Sequence, residues 1–347
     1  MAYTLPDLTT LAALPFDTVI DVRSPSEYAE DHLPGAINLP VLTDAQRAEV
    51  GTIYVQDSPF RARKIGAALV AKNAACHLET ALADKDGGWQ PLVYCWRGGQ
   101  RSGSFGSILS QIGWRVEVLE GGYQTYRRAV VDCLYKADLP HRVVLVDGHT
   151  GTAKTEILHR IKALGGQVLD LEGLANHRGS VLGPRPDGQP AQKGFESAII
   201  AEMSGIDPAL PVFVEAESSK VGARLVPPTL WSAMRAAPRI RLVASPAQRA
   251  GYLARAYRDL VAKPDDLKLL LGKLLPYVGR ERLAAWMDLV DAQEFTTLAH
   301  DLIVRHYDAR YAKSGSGHDP VAEIKVTFDP AGIDRAATRI MGLADTL

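Results

Sequence analysis

Cysteine is rare in this sequence, and no apolar run is long enough to cross a membrane. Cys76, Cys95 and Cys133 are the three cysteines in 347 residues, and their spacing suits neither a disulfide framework nor a zinc site. The N-terminus has no basic stretch followed by the apolar segment of a secretion signal. These absences argue against the secreted disulfide-rich class and the membrane class. We expect a cytoplasmic protein whose cysteine chemistry, if any, depends on a single thiol.

A strong excess of one charge is also missing, since 39 basic and 40 acidic side chains nearly balance. The net charge of the chain therefore gives no argument for a nucleic-acid partner. Residues 239–282 are an exception, with ten basic and four acidic side chains. This segment contains the candidate RNA contacts Arg249, Arg255 and Arg258 and the interleaved rings of Tyr252, Tyr257 and Tyr277. On chemistry alone, a solvated helix face with core tyrosines is the preferred interpretation.

Short apolar runs alternate with helical stretches along most of the chain, which predicts an α/β protein with mainly parallel sheets. The pattern restarts near residue 138, where RVVLVDG (142–148) has the composition of a buried strand. From residue 247 onward the sequence is mostly helical and charged. We therefore predict one α/β domain over residues 1–137 and a second over 138–347 with a helical C-terminal part. Glycines and prolines in 179–194 predict an irregular loop at an active site or a mobile lid.

The first candidate site is the stretch LVYCWRGGQRSGSFG (92–106), where Cys95 ends a strand and a helix follows. Converging backbone amides and a helix N-terminus lower the pKa of a thiol, and only the thiolate reacts. Gly98 and Gly99 allow the tight turn, and Arg97 and Arg101 add positive charge. The alternative is an inert buried cysteine, the usual state of a lone strand-end Cys. The glycines and arginines favour the reactive thiolate.

The second candidate site is VDGHTGTAKTEIL (146–158), a glycine-containing turn between a strand and a helix. Gly148, Gly151, Lys154 and Thr155 match a P-loop, in which backbone amides and Lys hold phosphates and Thr binds Mg²⁺. Ala153 stands where the second glycine of the motif belongs. A plain strand-to-helix turn is the alternative.

Further polar residues follow the later strands of the second domain. Glu172, His177 and Arg178 lie in DLEGLANHRGS (170–180), and Glu215 lies in VEAES (214–218) with Glu217 and Ser218. Ligands of open α/β folds bind at the carboxyl edge of the sheet, so these side chains are candidates for holding a phosphate or a base. Capped loops with solvated charges are the alternative.

DVRSPSEYAEDHLPGAINLP (21–40), YCWRGGQRS (94–102) and GWRVEVLEGGY (113–123) resemble the successive signatures of a rhodanese domain. The resemblance implies that Cys95 carries or attacks a chalcogen. It also implies that Asp21, Arg23 and Glu27 are structural, with an arginine–glutamate pair after the first strand. Arg101 follows Cys95 by six residues rather than the five of common sulfurtransferases. This wider loop is similar to that of rhodanese-fold phosphatases and arsenate reductases, which bind tetrahedral oxyanions.

A rhodanese domain followed by a P-loop domain with LEGLANHRGS and VEAES resembles the bacterial tRNA 2-selenouridine synthase family. The resemblance implies S-geranylation of wobble 2-thiouridine by geranyl diphosphate, then replacement of sulfur by selenium from selenophosphate. It implies geranyl diphosphate at the P-loop, with Mg²⁺ as a candidate ion, and selenophosphate at Cys95, which either carries selenium as a perselenide or assists its release. It further implies tRNA and a selenophosphate-producing enzyme as partners, and no membrane.

Three alternatives remain open. One is a Cys-dependent phosphatase or arsenate reductase fused to a P-loop kinase, although Tyr94 replaces the histidine that usually precedes the cysteine of such phosphatases. The second is an inactive rhodanese domain that only binds a partner. The third is a rhodanese-type sulfurtransferase acting on uridine, which would require ATP.

Overall fold

The computed structural model describes residues 2–5, 7–216, 218–310, 319–344 and 347, so that Glu217 lies outside the described residues. The strands are β1 (Ala2–Tyr3), β2 (Thr18–Asp21), β3 (Ile37–Asn38), β4 (Pro91–Tyr94), β5 (Glu117–Leu119), β6 (Arg142–Gly148), β7 (Gln167–Leu169), β8 (Pro211–Glu215), β9 (Lys220–Val221), β10 (Arg224–Leu225), β11 (Arg239–Val243) and β12 (Ala322–Lys325).

The α-helices are α1 (Pro25–Glu30), α2 (Asp44–Gln56), α3 (Pro59–Glu79), α4 (Gln100–Ile112), α5 (Tyr123–Tyr135), α6 (Lys154–Ala163), α7 (Leu171–Leu174), α8 (Gln192–Met203), α9 (Pro228–Ala236), α10 (Pro246–Ala256), α11 (Arg258–Val261), α12 (Pro264–Gly272), α13 (Leu275–Val278), α14 (Arg280–Asp291), α15 (Phe295–Leu302) and α16 (Pro330–Ala344). A 3-10 helix covers Leu8–Ala13, and a π-helical turn covers Ile303–Tyr307. None of these described helices combines the length and the apolar character that a bilayer span requires.

The chain forms two compact units, of which the first comprises Met1–Ala137 and Pro190–Gly205. Its sheet is parallel throughout, in the order β1-β5-β4-β2-β3. The central strand β4 is buried along its whole length, so its apolar run is continuous rather than alternating. Because parallel strands end at the same edge, β4 presents the residue after it, Cys95, at the carboxyl edge of the sheet.

The segment Pro190–Gly205 differs from the division that the sequence predicts. It lies in the predicted second domain by number, but its helix α8 packs within the first unit. Glu196, which is almost fully buried on α8, pairs with the guanidinium of Arg127 and accepts a 2.6 Å hydrogen bond from the hydroxyl of Tyr135. An amphipathic helix shows its apolar face in the sequence but not which sheet that face covers.

The second unit comprises Asp138–Gln189 and Ile206–Leu347. Its parallel sheet has the order β12-β11-β6-β8-β7, and β9 and β10 form a separate antiparallel pair. The first strand, β6, lies in the centre, where the strand order reverses between the two halves of the sheet. This switch point is where open α/β sheets bind ligands.

The predicted α/β fold with parallel sheets is confirmed, including a buried strand at 142–148, which the structure places at the centre of its sheet. Two short edge strands, β1 and β12, are missing from the prediction. Ala322–Lys325 follows a long helical and charged stretch and has only four residues, so it lacks the apolar run that marks a buried strand. The loop from residue 179 to 191 is irregular, as the glycines and prolines predict, and α8 begins at Gln192.

Candidate functional site

The loop after β4 surrounds the sulfur of Cys95 with hydrogen-bond donors. Cys95 is 3% exposed, and the hydroxyl of Ser102 donates to its Sγ over 3.1 Å. Burial raises the pKa of the thiol, but the Ser102 hydroxyl, the backbone N–H groups of Ser102 and Arg97, and the charge of Arg101 outweigh it, so the pKa lies below its ordinary value. The loop therefore favours the thiolate of Cys95, which is the form of a cysteine that reacts, more than an ordinary environment would.

A second stretch of chain fixes the shape of this loop. The backbone N–H of Tyr123 donates to the carbonyl of Cys95 over 2.9 Å, and Gly122 lies directly against the loop. A Cβ atom at Gly122 would stand 2.3 Å from the Cys95 carbonyl oxygen and 2.5 Å from the Gly98 nitrogen, at a positive φ of 58°. Glycine is therefore required at 122 for the Cys95 loop to close.

Arg101 is held by a carboxylate rather than left mobile. Its guanidinium donates to Glu27 over 2.7 Å, and this partner lowers the pKa of Glu27 despite the opposing effect of burial. The arginine–glutamate pair that the resemblance implies within residues 21–27 is therefore wrong, because Glu27 pairs with Arg101 and Arg47. Arg23 pairs with Asp21 instead, over 2.6 Å and fully buried. Glu27 is a positioning residue for Arg101, whereas Arg97 is exposed and contributes its backbone amide to the loop.

Ser102 is the residue of this loop that the sequence analysis missed as a donor to sulfur. Replacement by alanine should raise the pKa of Cys95, because a hydrogen bond to an ionised partner is lost. At pH values below the midpoint of the profile of alkylation rate against pH, we expect iodoacetamide to alkylate Cys95 roughly threefold more slowly in this variant than in the wild type. The smaller fraction of thiolate outweighs the higher nucleophilicity of each thiolate. Peptide mass spectrometry measures this rate, with exposed Cys76 as internal reference and Ser104→Ala, exposed on the same helix, as control. An unchanged pH midpoint would contradict the assignment.

The P-loop of the second unit lies between β6 and α6. The ammonium of Lys154 donates to the carbonyl of Gly148 over 2.8 Å, and the hydroxyl of Thr155 donates to Glu172 over 3.0 Å. Ala153 adopts a left-handed conformation with φ of 59°, which explains why glycine is usual there. The methyl group is buried, so packing against the core offsets part of the strain of this conformation.

A pocket of about 910 Å³ opens above this loop, entirely within the second unit. Among the described residues that line it, five side chains are basic and one is acidic; they are Lys154, Arg178, Arg185, Arg305, Arg310 and Glu172. Four tyrosines also line it, at positions 252, 257, 277 and 307. The pocket therefore suits an anionic ligand with apolar or aromatic parts.

The structure brings Gly151, Lys154, Thr155, Glu172 and Arg178 together at this pocket. Gly148 lies just behind them and ends β6. Arg178 donates to Asp259 over 2.6 Å, and its guanidinium carbon stands 4.8 Å from the centre of the Tyr257 ring.

Glu215 and His177 lie deeper than the sequence analysis predicts. Glu215 is fully buried, and burial beside Asp170 raises its pKa well above the ordinary value. Its carboxyl group accepts the backbone N–H of Leu171 over 3.1 Å. His177 is buried, and its Nδ1 accepts the N–H of Gly179 over 3.1 Å. Both therefore shape the loop that carries Glu172 and Arg178, which line the pocket.

Arg249 requires a correction. It is 3% exposed, and its guanidinium binds Asp308 and, over 3.1 Å, the carbonyl of Thr150 in the P-loop. A residue in this position braces the P-loop and offers no charge to an RNA surface. Arg255 and Arg258 are exposed, as a surface contact requires.

The C-terminal residues of the pocket were missed by the sequence analysis, as was Arg185. Arg305, His306, Tyr307 and Arg310 come from the end of the helical region, far along the chain from the P-loop. They carry no local motif, and the charged composition around them also fits an ordinary solvated helix. Tertiary folding alone brings them to the site.

Two family models match the sequence, one for each unit. The rhodanese-like domain matches residues 7–129, and the tRNA 2-selenouridine synthase AAA domain matches residues 141–265. A solved structure of the N-terminal domain of a protein from Clostridium difficile 630 is 37% identical in sequence, with a TM-score of 0.32. The match covers 38% of this chain and 99% of the solved domain.

Curated relatives that are named tRNA 2-selenouridine synthase match across both domains. The protein of Pseudomonas syringae pv. syringae (strain B728a) is 36% identical over 65% of this chain and 61% of its own length. The protein of Hahella chejuensis (strain KCTC 2396) is 35% identical over 74% of this chain and 67% of its own length. The protein of Pseudomonas putida (strain GB-1) is 34% identical over 73% of this chain and 69% of its own length. The chain thus spans 61% of the length of the Pseudomonas syringae relative, and it belongs to the tRNA 2-selenouridine synthase family.

Proposed function

We propose that this protein converts 2-thiouridine at the wobble position of tRNA into 2-selenouridine in two steps. The sulfur is first alkylated by geranyl diphosphate and then replaced by selenium from selenophosphate. The names of the relatives support the overall conversion. The two loops support the division into steps, because one lowers the pKa of a cysteine thiol and the other is a P-loop turn that lines a basic pocket.

The observation that carries the first step is an apolar cavity beside the P-loop pocket. This cavity of about 60 Å³ shares four lining residues with the pocket, namely Thr150, Leu253, Tyr257 and Tyr307. Its other walls are apolar and include Leu182, Leu260, Leu267, Leu298 and Leu302. A nucleotide carries a polar ribose and base next to its phosphates, whereas a prenyl diphosphate carries hydrocarbon. A phosphate loop that opens onto an apolar cavity therefore favours the prenyl diphosphate.

In the first step, the sulfur of 2-thiouridine attacks carbon 1 of geranyl diphosphate. The carbon–sulfur bond forms, the carbon–oxygen bond to the diphosphate breaks, and the uridine N3 proton is lost. The P-loop amides and Lys154 would stabilise the negative charge of the departing diphosphate. A Mg²⁺ ion carried by the diphosphate would add to this stabilisation, since Thr155 and Glu172 supply two hard oxygen ligands 3.0 Å apart. The described residues contain no group of three or more His, Cys, Asp or Glu side chains for such an ion, so phosphate oxygens and water would complete its shell.

In the second step, selenophosphate binds at the Cys95 loop. Attack of the Cys95 thiolate on phosphorus releases selenide, and water then frees phosphate from the sulfur, so that no oxidant is needed. Selenide attacks carbon 2 of the alkylated uridine and expels geranylthiol. The wide loop with Arg101 suits the phosphate group, and the low pKa of Cys95 suits the attack. Transfer through a perselenide would instead require attack on selenium.

The tRNA and an enzyme that produces selenophosphate are the partners that this reaction requires, and the cytoplasm is the proposed location. Arg255 and Arg258 remain the candidate phosphate contacts on the exposed face. An arginine that contacts phosphate there contributes affinity without reading the base sequence.

Narrowing the apolar cavity tests its assignment to the geranyl chain. Ala299 lines the cavity and is nearly buried on α15. In the Ala299→Leu variant, we expect the KM for geranyl diphosphate to rise about tenfold. The larger side chain would displace two methylene groups of the geranyl chain from the cavity, and their burial contributes roughly 1.6 kcal/mol of binding free energy. The KM for the five-carbon dimethylallyl diphosphate should change much less, because its chain is shorter. Steady-state transfer to 2-thiouridine tRNA measures both.

Ala285→Leu, at an exposed position of α14, is the matched control. Equal increases of KM for the two diphosphates would contradict the cavity assignment, since they would indicate a general distortion of the site. Unchanged KM values for both diphosphates would indicate that the geranyl chain binds elsewhere.

A further inference from the structure

The pocket above the P-loop is larger than the diphosphate requires. Its volume of about 910 Å³ lies near the upper end of the range of roughly 300–1,000 Å³ for a site that holds one small ligand. Lys154 and Thr155 line one part, and Tyr277 and Arg310 from the helical region also line it. If a sulfur is to attack carbon 1 of a bound prenyl diphosphate, the nucleoside must enter the same pocket. This requirement rests on the proposed function.

Tyr277 is suited to receive a base. It lines the pocket and is 64% exposed. The guanidinium carbon of Arg310 lies 4.8 Å from the centre of its ring. An exposed aromatic ring beside an arginine is the combination with which proteins bind unpaired bases and their phosphates.

The three other tyrosines among the described lining residues of the pocket are less exposed than Tyr277. Tyr252 stacks on Phe328, with ring centres 4.9 Å apart. Tyr257 is covered by the guanidinium of Arg178 and packs in the apolar core of the helical region. Tyr307 packs against the same core and meets the buried ring of His306 edge-on. Among the tyrosines that the structure describes at this pocket, Tyr277 is therefore the one with a largely accessible surface.

The charge of the pocket favours a nucleotide over a neutral or apolar partner. Arg305 and Arg185 also line it, and Glu172, the one acidic side chain among its described lining residues, lies beside the P-loop hydroxyl of Thr155. Phosphates on either side of an extruded wobble nucleotide would meet arginines, while the diphosphate occupies the P-loop. We infer that Tyr277 and Arg310 form a nucleotide subsite of this pocket, in which the target base stacks on Tyr277 and Arg310 contacts the RNA.

The test uses the full chain and an anticodon stem-loop RNA with 2-thiouridine at the wobble position. Fluorescence anisotropy gives the Kd of the labelled RNA for Tyr277→Leu, Tyr277→Phe and Arg310→Ala. We expect an increase of about tenfold for Tyr277→Leu and little change for Tyr277→Phe, which keeps the ring. Arg310→Ala should weaken RNA binding by a similar factor. It should also reduce the number of counterions released on binding, which is read from the slope of log Kd against log salt concentration, by about one.

Two exposed residues of the first unit provide matched controls, Tyr54→Ala on α2 and Arg63→Ala on α3. The KM for geranyl diphosphate should stay unchanged in Tyr277→Leu, because the diphosphate lies at the P-loop. An unchanged Kd for Tyr277→Leu would overturn the subsite, as would equal losses for Tyr277→Leu and Tyr277→Phe.

The inference and the proposed function can fail separately. Wild-type protein that binds the stem-loop but transfers no geranyl group would refute the function, and the Kd values would still decide the subsite. Wild-type protein that transfers the group while Tyr277→Leu binds RNA normally would refute the subsite alone.

Discussion

Replacement of Cys95 by serine is expected to abolish selenium incorporation and to leave S-geranylation close to the wild-type rate. A serine hydroxyl stays protonated in the loop, where the Cys95 thiolate is stabilised by the Ser102 hydroxyl and by the N–H groups of Arg97 and Ser102. Loss of the nucleophile should slow selenation by at least ~10³-fold. Nucleoside mass spectrometry after incubation with 2-thiouridine tRNA, geranyl diphosphate and selenophosphate should then show accumulation of S-geranyl-2-thiouridine.

Cys133→Ser is the matched control for this experiment. Cys133 is a free cysteine of the same unit, but burial and the nearby Asp7 raise its pKa and so disfavour its thiolate form. This control should retain both steps. Simultaneous loss of geranylation and selenation in Cys95→Ser would refute the division of labour between the two loops.

The second large effect is expected for Lys154→Ala, which should slow geranylation and leave selenation intact. Lys154 lines the pocket at the start of α6, where its ammonium would meet the diphosphate. Removing this charge should slow geranylation by on the order of 10²–10³-fold, the cost of losing one group that stabilises a leaving anion. Selenation of tRNA that has been geranylated beforehand should continue. Single-turnover assays of each step, with separately prepared substrates, measure the two rates.

Lys64→Ala, on the exposed face of α3, controls for the loss of a positive charge. Geranylation at the wild-type rate in Lys154→Ala would remove the P-loop from the first step. Loss of selenation from geranylated tRNA would show instead that Lys154 serves both steps.

The predictions that succeeded from sequence rest on residues that are neighbours along the chain. The strand β6, the turn and the start of α6 form one continuous stretch, so the P-loop is recognisable before folding is considered. The same holds for the loop that begins at Cys95. Buried strands such as β4 are apolar throughout because both faces of a parallel sheet are covered.

The errors concern partners that are distant in sequence. Arg249 looks like a surface charge because its partner, Asp308, is 59 residues away. Glu27 looks like a partner for the nearby Arg23, whereas it binds Arg101, 74 residues away. The sequence also places α8 by its number, although its buried Glu196 binds Arg127 of the first unit. Such pairings are set by tertiary structure, which local patterns of charge and hydrophobicity do not encode.

The position of α8 in the chain has a consequence for synthesis. A ribosome completes β1 to α5 before it has made any of the sequence that follows Ala137, yet α8 supplies the carboxylate that Arg127 and Tyr135 bind. Until residue 205 has emerged, the growing chain holds an arginine without its counter-ion and an uncovered apolar face. The unit that carries Cys95 therefore finishes folding only after translation has passed through the P-loop, and a chain cut at Ala137 would stay in that unfinished state.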